Sequence, residues 1–89
     1  MSLTMDNLIQ NFNCAKKHDS PYVAVLIAME GFPKAEIIIN QAENIDTKLE
    51  YYQKTYDENL NHKFAKGIKI VGMTHGDSFD DIEFDLINN

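Results

Sequence analysis

Eight apolar or aromatic side chains occupy YVAVLIAM, residues 22 to 29, with no polar position between them. The run is short and rich in β-branched residues. Pro21 stands before it and Gly31 just after, so residues 22 to 30 predict a strand buried on both faces or nearly so. GFPK then turns the chain, and AEIIIN, residues 35 to 40, predicts a second strand close enough to pair with the first as a hairpin. Pro33 falls in the turn, where its missing N–H costs nothing.

Helical periods flank this hairpin. In TMDNLIQNFNCAKK, residues 4 to 17, Leu8, Ile9, Phe12 and Ala15 share one helical face, with Thr4 as N-cap and Asp6 in the first turn. Pro21 forbids continuation. After Asn40, Ile45, Leu49, Tyr52, Tyr56 and Leu60 recur at spacings of four, three, four and four, which predicts a helix running to about residue 62. Its start is open between Asn40, with Glu43 three positions on, and Asn44, with Asp46 in the first turn. Glu50 and Lys54 form an i, i+4 pair on it.

KGIKIVGMT, residues 66 to 74, alternates Ile68 and Ile70 with Lys69 and predicts a third strand, half buried and at an edge. Gly72 marks a bulge or a close backbone approach. Two readings compete for the tail: Ser78 with Asp81 resembles a capping box, putting Phe79, Ile82 and Leu86 on the inner face of a helix, whereas Ile82, Phe84 and Leu86 also alternate as a strand would. The start signal Gly76-Asp77-Ser78 favours the helix.

The resulting order is α-β-β-α-β-α. A hairpin followed by a crossover helix and a third strand is most simply a split β-α-β unit. The expected fold is therefore α+β: a three-stranded antiparallel sheet of order 2-1-3 with helices packed on it. No linker or repeat interrupts the chain, and 89 residues make one domain. Residues 1–4, MSLT, read equally as native sequence or as a remnant of cloning ahead of Met5.

Charge narrows the function classes. A net charge of -6, from 14 Asp and Glu against 8 Lys and Arg, repels the phosphate backbone, so no nucleic-acid partner is expected. The single Cys14 cannot close an internal disulfide, and neither an export signal nor a membrane-length apolar run is present. A cytoplasmic protein without a membrane partner is the expectation. A core this small gains burial by dimerisation.

The densest chemistry lies in THGDSFDDIEFDL, residues 74 to 86. An EF-hand loop starting at Asp77 fails, because Phe79, Ile82 and Asn88 stand where an oxygen ligand, the glycine and the bidentate glutamate belong. His75, Asp77, Asp80 and Asp81 are the metal candidates, but no second histidine at ligand spacing completes them. Against them stands a helix start and its solvated face, so no metal or other cofactor is expected. Cys14 and His18 are an i, i+4 pair without an orienting third residue, and no catalytic residue is assigned. The four glycines fit neither a phosphate loop nor a dinucleotide fingerprint.

Association remains. Tyr51, Tyr52 and Tyr56 give the central helix an aromatic surface; Tyr52 and Tyr56 fit the core or its margin, and Tyr51 the flank. Tyr51 and Tyr56 are the residues expected to contact a second subunit or another protein. Strand edges in EGFPKAEIIIN and KGIKIVG also offer backbone groups to a second copy or a partner. The stretch YVAVLIAMEGFPKAEIIIN, followed by ENIDTKLEYYQKTYDENL and KGIKIVGMTHGDSFDDIE, resembles small uncharacterised proteins encoded by phages and prophages of low-GC bacteria. That resemblance implies an accessory protein and transfers no catalytic residue. The expectation is a non-enzymatic interaction module, possible as a homodimer; the alternative is a small metal-dependent enzyme or factor using His75 and Asp77.

Overall fold

Thr4 starts the first helix as its sequence context predicts. In the computed structural model, which describes residues 3–87, helix α1 spans Met5–Lys17. Of the tetrapeptide MSLT, Met1 and Ser2 lie outside the described residues. The Thr4 hydroxyl accepts from the Asn7 N–H at 3.4 Å, while Asn7 Oδ1 accepts from the Thr4 N–H at 2.8 Å, which closes a capping box. At the other end Asp19 adopts φ 53°, and the Ser20 N–H folds back to the Ala15 carbonyl at 2.9 Å. This left-handed turn satisfies a helix-end carbonyl and reverses the chain into the sheet.

Strands β1 (Tyr22–Met29), β2 (Glu36–Gln41) and β3 (Ile68–Gly76) form one antiparallel sheet in the order β2-β1-β3. Because both outer strands run against β1, they are parallel to each other. Helix α2 (Ile45–Thr55) makes the crossover between them, entered through a 3-10 turn at Ala42–Asn44. The fold is thus the expected α+β arrangement, α-β-β-α-β-α, closed by α3 (Phe79–Ile87). The tail is helical.

Alternation along β1 divides the interior in two. Val23, Val25 and Ile27 face α1 and α2, where they pack with Ile38, Ile68, Ile70 and Met73 from the sheet and Leu8, Phe12, Ala15, Ile45 and Tyr52 from the helices. On the opposite face, α3 lies over β3 and β1 with Ile82 fully buried against the sheet. Both faces of β1 are therefore covered near its start, as its unbroken apolar run requires.

Two expectations are corrected. Helix α2 stops at Thr55, not near residue 62: Tyr56 turns extended (φ -115°, ψ 147°), and the Asp57 carboxylate accepts from the N–H groups of Asn59 and Asn61 at 2.9 and 3.0 Å. Asp and Asn side chains offer the backbone these local bonds as an alternative to helix. Leu60 still reaches the core, but from a left-handed position at φ 64°, so its helical spacing is coincidental. The Leu60 carbonyl then accepts from the Ile70 N–H at 3.0 Å and the His62 N–H donates to Ile68 at 2.8 Å, so the start of β3 is not a free edge.

Gly72 serves both of its anticipated purposes. The β1–β3 register shifts between Leu26 and Ile27, making a bulge at Val71, and a Cβ on Gly72 would lie 3.3 Å from Leu26 and 3.4 Å from Leu86. A bare backbone here lets α3 approach β3.

Candidate interaction surface

Helix α3 is seated by its polar start and one apolar anchor. The Ser78 hydroxyl accepts from the Asp81 N–H at 3.1 Å, and Asp80 and Asp81 lie in the first turn, where the helix dipole favours negative charge. Ile82 is the buried residue, Thr74 Oγ1 donates to Asp85 Oδ2 at 3.2 Å, and Phe79 stands edge-on to Tyr22 at 4.9 Å. Phe79 is nonetheless more than half exposed, so it belongs to the rim and not to the inner face expected of it.

The outward side is unusual for a solvated helix. Asp80, Glu83, Phe84 and Ile87, at i, i+3, i+4 and i+7, line a shallow depression of about 270 Å³. Phe84 is 64% exposed and Ile87 62%. The sequence reading missed these two because it credited only Phe79, Ile82 and Leu86 to the helix face. Phe84 lies two positions from Ile82, about 200° around the helix, which was a usable signal for an outward aromatic.

The metal candidates are dispersed. His75 belongs to β3 opposite Val23 and so points toward α1; its Nδ1 lies 2.7 Å from Ser20 Oγ, and its ring stacks on His18 with centroids 5.9 Å apart. Asp80 lines the outer depression of α3, and Asp81 packs its Cβ near Gly76. Asp77 is exposed in the turn between them. Among the described residues no group of three or more His, Cys, Asp or Glu is placed to hold a metal ion.

Ser20 and His75 form a contact that sequence could not reveal, being 55 positions apart. Ser20 is buried, its own N–H is bonded to Ala15, and the hydrogen bond to His75 satisfies its hydroxyl. The pair ties the end of α1 to the end of β3. Cys14 is exposed on α1, and its link to His18 is the helical backbone bond from the His18 N–H to the Cys14 carbonyl.

The two expected contact tyrosines part company. Tyr51 is exposed, with Lys48 Nζ 5.8 Å from its ring centre, whereas Tyr56 is buried beside Tyr52 and edge-on to His62. Tyr56 is a core residue and offers no surface to a partner.

Burial pushes the hydroxyls of Tyr52 and Tyr56 above the usual phenol range, partly opposed at Tyr52 by the Asn40 amide, which donates to Tyr52 Oη at 3.5 Å. A raised folded-state value means the native protein holds these protons more tightly than the unfolded chain. Their contribution is complete below the unfolded value of about 10 and is lost as pH rises through the folded one. Urea midpoints should therefore fall between about pH 8 and about pH 11, and Tyr52→Phe should flatten that fall.

The structure defines a small α+β domain with a split β-α-β sheet, whose most exposed apolar helix face is also acidic. No family model, no curated protein and no solved structure matches the chain.

Proposed function

We propose that the protein is a non-enzymatic interaction module of the phage-type accessory kind, working in the cytoplasm, and that the outer face of α3 is its recognition surface. The observation that carries this reading is the pairing of Phe84 with Ile87, both largely exposed on one stripe and flanked by Asp80 and Glu83. Two large side chains one turn apart are the anchors that a helix inserts into an apolar groove. Carboxylates beside them select a groove with a basic rim and repel acidic competitors. Tyr51 offers a second, smaller contact on α2.

The test is to purify the protein captured by the full chain from its source cells and to titrate it against variants. Phe84→Ala with Ile87→Ala should weaken binding at least tenfold, since central apolar anchors cost about 1 to 2 kcal/mol or more each on truncation. Binding should also weaken with added salt. Unchanged affinity in that double variant, with loss on Tyr51→Ala instead, would move the surface to α2. A dependence on added divalent metal would instead favour the metal-dependent alternative built on His75 and Asp77.

A further inference from the structure

The outer edge of β2 is bare. Among the described residues, no hydrogen bond outside the β1 pairing reaches the backbone of Glu36–Gln41; the Asn40 side chain bonds Tyr52 Oη on the core face, and the nearest backbone bond, from the Ala42 N–H to the Pro21 carbonyl, lies past the strand's end. Edge strands of monomeric proteins are usually blunted by an inward charge, a lysine, a proline or a bulge. β2 carries one such device, Glu36, which opposes Ile27 and so sits on the core-side face at the first position; residues 37 to 41 hold no charge, proline or bulge, their register with β1 is unbroken, and Pro33 and Lys34 precede the strand. The other edge of the sheet is already engaged, since residues 60 to 62 bond along the start of β3 and Asn11 Nδ2 donates to the Thr74 carbonyl at 3.1 Å.

We infer that β2 pairs antiparallel with β2 of a second copy of this chain, extending the sheet to six strands about a two-fold axis perpendicular to it. Such an axis keeps each sheet face continuous, so residues meet others of the same facing. Centred on Ile38, the pairing sets Ile37 against the partner subunit's Ile39 and Glu36 against the partner subunit's Asn40. Isoleucines oppose isoleucines at the centre, and at each end a carboxylate opposes an amide. No charge meets its like, and cross-strand isoleucine pairs are favourable.

Charge also decides between this edge and the helix for a second copy. Two α3 helices packed face to face would bring Asp80 and Glu83 against themselves. Because α3 lies over β3 and β1, an edge-paired dimer leaves the two β2 strands between the strands that the helices cover. At about 4.8 Å per strand, β1 and its mate are about 14 Å apart, beyond the screening length of about 8 Å at physiological salt. The α3 carboxylates of the two copies therefore oppose the edge-paired dimer weakly. Both α3 faces remain open, on the same side of the extended sheet.

The experiment is light scattering on the full chain up to millimolar concentration, with hydrogen exchange at both ends of the range. The apparent mass should rise from 10.2 kDa toward twice that value. Amides within residues 37 to 40 should gain protection with concentration while α3 does not. Ile37→Lys with Ile39→Lys, on the sheet face away from the main core, should abolish the mass increase. Phe84→Ala with Ile87→Ala should leave it intact, which separates this inference from the α3 reading. A monomer throughout the range overturns it, as does a dimer whose concentration-dependent protection lies on α2, α3 or β3. The exchange measurement on the unsubstituted chain decides even if the lysine variant fails to fold.

Discussion

Phe12→Ala should lower the free energy of unfolding by about 3 to 5 kcal/mol, the range for truncating a fully buried aromatic. The ring has no exposed surface and stands edge-on to Tyr52, with centroids 5.9 Å apart and planes at 85°. It thus joins α1 to α2 above the sheet. Its removal loses the transfer energy of the ring, the edge-to-face contact and the packing of a cavity that neighbours fill only partly. Total stabilities of small domains run about 5 to 15 kcal/mol, so this one change consumes a large share. Urea unfolding should show a lower midpoint at unchanged slope. A loss below about 1 kcal/mol would mean that the α1–α2 junction is not the centre of the core. Ile9→Ala, at a half-buried position of the same helix, is the control and should cost less.

The legible part of this fold is the part in which one physical signal dominates. YVAVLIAM reads as a central strand because only two-sided burial explains eight successive apolar or aromatic positions, and the structure covers the start of that strand on both faces. Order 2-1-3 then follows from connectivity. Residues 56 to 62 were misread because helical spacing and local turn chemistry disagree there. Periodicity placed Tyr56 and Leu60 on a helix; the Asp57 carboxylate, bonded to the Asn59 and Asn61 N–H groups, took the backbone elsewhere. Both side chains remained buried, so the apolar pattern was right about burial and wrong about the element.

The candidate surface was less legible for a related reason. A dense run of acids reads as solvated, and that reading explains Asp77, Asp80 and Asp81. It does not explain Phe84 and Ile87, whose exposure depends on which side of α3 meets the sheet. Gly72 bears on that choice, because a Cβ there would lie 3.3 Å from Leu26 and 3.4 Å from Leu86, and its bare backbone lets α3 approach β3. Contacts between residues that far apart in sequence are set by the whole fold, as is the bond between Ser20 and His75.

Ile82→Ala should cost about 2 to 5 kcal/mol if α3 unfolds only with the rest of the domain. Nine residues are too few for a helix to persist in water by itself, and Ile82 is the one residue of α3 that is fully buried. Its truncation leaves Leu86, the Phe79–Tyr22 ring contact and the Thr74–Asp85 hydrogen bond to hold the helix down. These are partly exposed, and the expected result is undocking of α3 ahead of global unfolding. Amides of residues 82 to 87 should then exchange much faster while those of β1 and α1 keep their protection, and the urea midpoint should fall by less than the local change implies. Uniform acceleration across the whole chain would show instead that α3 belongs to a single cooperative unit. In the first case partner binding through Phe84 and Ile87 should weaken along with docking, because a frayed helix must be ordered again at the cost of binding free energy.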